Sequence, residues 1–368
     1  MRPCLKPALR RAWRDRSTLQ FGVGRAHAAV VESTGPADAA FLDLLDGTRE
    51  IGALTDEAAE LGIPRDRVDR LLARLGEARV LDDTDARLPL LELPPAEVAR
   101  LGPDLAALSL AHPEPGSAPN LLLARRRARI QVRGAGRVGA AIATVLAASG
   151  VGQVEVVDNG SVLEQDTSPC GLLVADTGRP RAAAARAAVR RAAPGRPDDR
   201  RGGHRLPDLV VVAPRGDSAG LLSDPGLSRE LLHSGVPHLY AGVMETTGSV
   251  GPFVLPGSSA CGRCLALHRT DEDPAWPRLL AQHCSGRGSS GTAACDTALA
   301  TTVAGLAALH SLMFLDRGTP PSLGGWVEVS MLDGSMRRRV LEAHPDCGCC
   351  WSPLSSQAPP NPAMPGGQ

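Results

Sequence analysis

RIQVRGAGRVGAAIATVLAASGVGQVEVVD, residues 129–158, decides the fold. Ile130 and Val132 mark a short buried strand, which breaks into Gly134-Ala135-Gly136-Arg137-Val138-Gly139. Val138, Ile142, Val145 and Leu146 then recur at helical spacing, and Val154-Glu155-Val156-Val157 forms a second strand closing on Asp158. Strand, glycine loop, helix, strand and acid, in that order, make a nucleotide-type βαβ unit. The glycines allow a tight turn, a close backbone approach to phosphate, and close helix–strand packing. The unpaired N–H groups of the helix start suit an anion. Asp158 stands where an acid accepts from a ribose hydroxyl.

The 368 residues allow two or three domains. Forty Lys and Arg balance forty Asp and Glu, so net charge makes no case for nucleic acid or a membrane surface. Lys6 is the only lysine. The N-terminus has no apolar core of signal-peptide length, and a cytoplasmic location is expected, where nine cysteines are metal ligands or free thiols rather than disulfides.

Residues 1–85 read as a small α+β domain of winged-helix type. Thr18–Val23 and Ala28–Val31 are strand-like, and a helix follows Gly35-Pro36. Ile51–Leu61 is a second helix, and Pro64 opens a third with the stripe Val68, Leu71, Leu72, Leu75. Val80–Asp83 is a wing strand. Arg65, Arg67, Arg70 and Arg74 alternate with Asp66, Asp69 and Glu77, which is a solvated face and not a phosphate footprint. Residues 86–127, with Pro94, Pro95, Pro103, Pro113, Pro115 and Pro119, read as a linker with one short helix at Ala96–Leu101. The large domain runs from 128 to 351, and the tail 352–368 has a disordered composition. The apolar run Cys295–Leu315 is a core helix or a dimer interface.

Cys261-Gly262-Arg263-Cys264 and Cys347-Gly348-Cys349-Cys350 give C-x-x-C twice, the ligand pattern of a structural tetrahedral zinc. The expected set is Cys261, Cys264, Cys347 and Cys350, with Cys349 and His344 as alternative fourth ligands.

The LLDGTR turn (Leu44–Arg49) and GEARVLDD (Gly76–Asp83) resemble the PqqD-like domains that bind leader peptides of ribosomally made natural products. Such binding adds the peptide as a strand to a sheet edge. The glycine loop, Asp158, Gly178-Arg179-Pro180-Arg181, the Asp208–Val212 strand and the paired knuckles together resemble the ThiF/MoeB/ubiquitin-activating-enzyme superfamily. That resemblance implies a Rossmann-like doubly wound sheet with zinc knuckles. It also implies ATP–Mg at Gly134, Gly136, Gly139 and Asp158, and adenylation of a C-terminal carboxylate of a small protein.

Several positions depart from that pattern. Arg181 replaces the family lysine. Asp166 stands at the asparagine position, Pro169 at the phosphate arginine and Cys170 at the glutamine. Arg215, in Val212-Ala213-Pro214-Arg215, falls where the magnesium-holding aspartate belongs, with Asp217 two residues on. Losing these charges removes transition-state stabilisation. Arg181, Asp217 and Cys284 remain candidate catalytic residues, and Cys295 a second thiol candidate.

The combined resemblance is to the ThiF-like partner proteins of azoline and thiopeptide clusters. It implies a homodimer that binds a precursor leader peptide and presents it to a YcaO-type cyclodehydratase. An active adenylyltransferase is the alternative. An NAD(P)-dependent oxidoreductase shares the loop but lacks a Tyr/Lys or His/Asp catalytic set.

Overall fold

A computed structural model describes residues 1–25, 28–32, 35–194, 205–216, 225–284 and 292–350. The chain divides into two units, Met1–Ala124 and Arg125–Gln368.

The first unit begins with β1 (Pro3–Leu5), β2 (Arg11–Trp13), β3 (Leu19–Phe21) and β4 (Ala29–Val31). Helices α1 (Pro36–Leu44), α2 (Ile51–Glu60) and α3 (Arg65–Glu77) follow, then β5 (Leu81–Asp83). Strands β2, β3 and β4 form an antiparallel sheet in that order. The expected wing strand β5 pairs instead with β1 at the chain start. Proline starts α1 and caps α3, as its fixed φ and missing N–H favour. Val68, Leu71 and Leu75 of the α3 stripe are buried with Phe21, Phe41 and Leu54, so the helical period faces the sheet.

Residues 86–127 are not a linker. A 3₁₀ segment (Thr84–Glu92) leads into α4 (Pro95–Arg100), α5 (Gly102–Ala111) and α6 (Ser117–Arg127). Pro95 and Pro103 occupy first-turn positions of α4 and α5, where proline starts a helix instead of breaking one. Leu90, Leu101, Leu108, Ala118 and Leu122 bury into a small core of their own. The lone lysine belongs here: the buried Lys6 Nζ donates to Ser109 O (2.7 Å) and Pro113 O (2.9 Å). Burial holds its pKa below the ordinary lysine value.

The second unit contains β6 (Arg129–Arg133), α7 (Arg137–Ala148), β7 (Gln153–Val157), α8 (Arg181–Ala192), β8 (Leu209–Val212) and α9 (Pro225–His233). The hairpin β9 (His238–Met244) and β10 (Thr247–Val254) comes next, then α10 (Gly262–Glu272), α11 (Trp276–Cys284), α12 (Thr297–Leu315), β11 (Gly325–Ser330) and β12 (Met336–Val340). Its seven-stranded sheet has the order β7-β6-β8-β9-β10-β11-β12. The first four strands are parallel and the last three run antiparallel, so the doubly wound expectation becomes a mixed sheet. Short turns join β9 to β10 and β11 to β12 and can only return antiparallel; β10 and β11 also pair antiparallel, although α10, α11 and α12 lie between them in the chain.

Alternation along the strands divides the core between two faces. Ile130, Val132, Leu209, Val211, Leu239 and Ala241 pack with residues of α7, α8 and α12 on one face. Val210, Val212 and Tyr240 pack with Leu231 of α9 and Leu265 of α10 on the other. The helix α12 is long and apolar enough to cross a membrane by composition alone. Leu299, Val303, Ala304, Ala307, Ala308 and Leu312 place it in the main core instead.

Candidate functional site

The glycine loop joins β6 to α7 at the carboxyl end of the parallel strands, the usual ligand position in open α/β sheets. Gly134 has φ +109°, and a Cβ there would stand 2.0 Å from Ala213 O. A Cβ at Gly139 would stand 2.1 Å from Gly134 O. Both glycines are therefore required by backbone contact between β6, α7 and the end of β8. Gly136 caps α7, and the nearest neighbours of a Cβ there would be Arg215 Cγ and Cβ, at 3.3 and 3.4 Å.

The charged residues around the loop form one alternating chain. Asp158 Oδ2 accepts from the Ala135 N–H (2.8 Å), while Oδ1 accepts from the Gly160 N–H (2.8 Å) and from Arg181 Nε (2.9 Å). Arg181 Nη1 also donates to Ser161 O (2.9 Å) and reaches Asp166 Oδ2 (3.4 Å). Asp166 Oδ2 accepts from the Leu163 N–H (2.9 Å), and its Oδ1 accepts from Arg215 Nε. Asp158–Arg181–Asp166–Arg215 thus carries two positive and two negative charges and is neutral. A carboxylate offers about four lone pairs, and Asp158 uses three of them here. Arg137 ties the loop to the start of α12: its Nε donates to Gln165 O (2.8 Å) and its Nη1 to Cys295 O (2.8 Å) and Thr297 Oγ1 (3.1 Å).

Sequence reasoning found Gly134, Gly136, Gly139, Asp158 and Arg181, and the fold brings all five together. It registered Asp166 and Arg215 only as departures, and their mutual ion pair was not foreseen. Asp217 and the side chain of Cys284 lie outside the described residues. Magnesium does not fit the described part of this loop. It binds through carboxylates and water, and both carboxylates here already hold arginines.

The second site is the cysteine cluster. Cys261 caps α10 and Cys264 lies in its first turn. The sulfurs of Cys261, Cys264, Cys347 and Cys349 all lie within 4.8 Å of one another and could hold a metal ion. The separations Cys261–Cys264 (3.9 Å), Cys261–Cys347 (3.5 Å) and Cys264–Cys349 (3.4 Å) approach the roughly 3.8 Å edge of a tetrahedron with zinc–sulfur bonds of about 2.3 Å. Cys349 is the fourth sulfur of this group; Cys350 Sγ lies 3.6 Å from Cys349 Sγ and 3.6 Å from Ser259 O. Thiols of this cluster hydrogen-bond one another. Accepting from Cys261 brings the Cys264 thiol down from its ordinary value, while burial pushes Cys349 up.

His344 does not supply the fourth ligand. Its Nε2 bonds Asp271 Oδ2 (2.8 Å) and its Nδ1 accepts from the Asp346 N–H (3.1 Å), so neither nitrogen has a lone pair to spare. His268, Asp271 and His344 lie close enough together to suggest a metal, but these bonds leave His344 no lone pair for one. The same two bonds make His344 a clasp between α10 and the second knuckle.

Residues 117–199 match the ThiF family. That segment carries the glycine loop, Asp158, Asp166 and Arg181. No curated protein matches the chain in sequence. Among solved structures, E. coli MccB with AMPCPP and MccA is similar at TM-score 0.70 and 16% identity, covering 96% of this chain and 100% of that one. E. coli MccB with ATP is similar at TM-score 0.69 and 16% identity, covering 95% and 100%. The heterocyclase TruD is similar at TM-score 0.59 and 17% identity, covering 95% of this chain but 42% of TruD. At these identities the likeness shows the fold.

Proposed function

We propose that this chain binds the leader of a ribosomally made precursor peptide and presents it, in the cytoplasm, to a separate YcaO-type cyclodehydratase, its own adenylating chemistry having been lost. The observation that carries this reading is Arg215 paired with Asp166 across the glycine loop. A cation stands where the reaction needs a metal-holding anion, and the loop's charges neutralise one another before any substrate arrives.

Two further observations support it. MccB, with which the chain shares its fold end to end, has been solved with MccA bound. TruD is a heterocyclase of which this chain spans 42%, so on this reading a partner protein supplies the remainder.

The first unit, read as a PqqD-like clamp of winged-helix type, would take the peptide along β4, an edge of its three-stranded sheet. A cleft of about 260 Å³ adjoins that strand, lined by Leu9, Ala28, Ala29, Ala78, Arg79 and Pro113 among others. The Cys261, Cys264, Cys347, Cys349 cluster would hold a structural zinc, closed by four thiolates and so without an open catalytic position. Ala298, Thr302, Gly305 and the half-exposed Leu309 line one outer face of α12, which would serve a homodimer.

The test is fluorescence polarisation of a labelled leader peptide encoded beside this protein. Micromolar binding that weakens in Arg79→Glu supports the clamp, and no binding by the intact chain rejects it.

The second reading is an adenylyltransferase acting on a peptide or sulfur-carrier C-terminus with ATP–Mg, using Arg181, Asp217 and Cys284. It is favoured by one observation, the end-to-end likeness to MccB solved with ATP. Substrate-dependent ATP–pyrophosphate exchange would establish it.

A further inference from the structure

We propose that the glycine-loop site takes a nucleoside phosphate without a divalent cation, the Arg215 guanidinium serving as its counter-ion. This rests on reading the loop as a nucleotide site, and it adds what balances the phosphate charge there. Magnesium would need a carboxylate free to face it. Among the described residues, Asp158 holds Arg181, and Asp166 holds both Arg181 and Arg215.

Arg215 is placed to meet a phosphate. Its stem lies across the start of α7, 3.3 Å from where a Gly136 Cβ would stand. It is also the movable member of the chain. Its side chain is 32% exposed, against 13% for Arg181, 7% for Asp158 and 4% for Asp166. If Arg215 turns from Asp166 to a ligand, Asp166 keeps the Leu163 N–H and Arg181 as partners, so no buried carboxylate is stranded. A guanidinium binds phosphate through two parallel N–H bonds, and the first N–H groups of α7 add to it. One fixed positive charge replaces the two of a magnesium ion, so a monophosphate is better matched than a triphosphate.

The experiment is calorimetric titration of the full chain with AMP and with ATP, each in magnesium buffer and in EDTA. The expected result is AMP binding that changes by less than about twofold between the two buffers, with ATP binding more weakly. Arg215→Ala should weaken AMP by roughly tenfold or more, the size of one charge-assisted contact. Asp166→Asn leaves Arg215 unshared and should tighten it. Circular dichroism confirms that each variant is folded. Binding that requires magnesium overturns the metal-free site while leaving a nucleotide site standing. AMP affinity unchanged in Arg215→Ala overturns the role of Arg215. No binding of either nucleotide in either buffer removes the nucleotide reading itself, and this inference with it.

Discussion

Gly136 caps α7 and Gly139 lies in its first turn, and they answer to different neighbours. At Gly139 a Cβ would meet the Gly134 carbonyl, which is backbone and cannot move aside; at Gly136 it would meet the side chain of Arg215. Gly139→Ala is therefore expected to destabilise the second unit by about 3 kcal/mol, and Gly136→Ala by about 1 kcal/mol. Urea denaturation of the two variants measures the difference, and equal midpoints would contradict the packing argument. The glycines were legible because their spacing encodes a backbone approach that any chain of this pattern must make. Arg215 was legible only as a charge of the wrong sign. That it answers Asp166, 49 positions earlier, follows from the folded loop alone.

At the level of elements, the knuckles show how far a spacing rule reaches. Two C-x-x-C motifs predict a cluster, but Cys347-Gly348-Cys349-Cys350 offers two sulfurs for one position. The turn after His344 directs the Cys349 sulfur to 3.4 Å from Cys264. Elemental analysis of purified protein is expected to find one equivalent of zinc, lost in Cys349→Ser and retained in Cys350→Ser. The reverse pattern would restore the assignment made from spacing. Chelation should also lower the melting temperature, because metal binding to a structural site is folding free energy. The prolines between 94 and 119 are the counter-example. They mimic a linker in composition, yet Pro95 and Pro103 start helices, and only the burial of Leu101, Leu108 and Leu122 distinguishes the two.

Across the whole molecule, two buried histidines set the acid limit. His238 and His310 are held near 4 chiefly by burial, against an ordinary value of 6.5. Between those values the unfolded chain takes up protons that the folded chain refuses. Their contribution is therefore fully present above pH 6.5 and is lost as pH falls toward 4, at about 2 kcal/mol per histidine by pH 5. The urea midpoint should drop between pH 7 and pH 5, and His310→Gln should flatten that slope. The same scale holds the oligomer: sedimentation is expected to give a dimer mass, converted to monomer by Leu309→Arg. A monomer of the unsubstituted chain would count against the α12 face as an interface.

Residues close in the chain specify the strand–loop–helix–strand unit, the starts of α1, α2, α3 and α8, the wrong charge at 215 and the cysteine cluster. Each depends on residues close in the chain, where backbone geometry and periodicity act directly. Long-range packing specifies the antiparallel half of the sheet, the helices of 86–127, the placing of Cys349 beside Cys264, and the pairing of Arg215 with Asp166. Those depend on which distant groups share one low-dielectric space, and no local spacing records that.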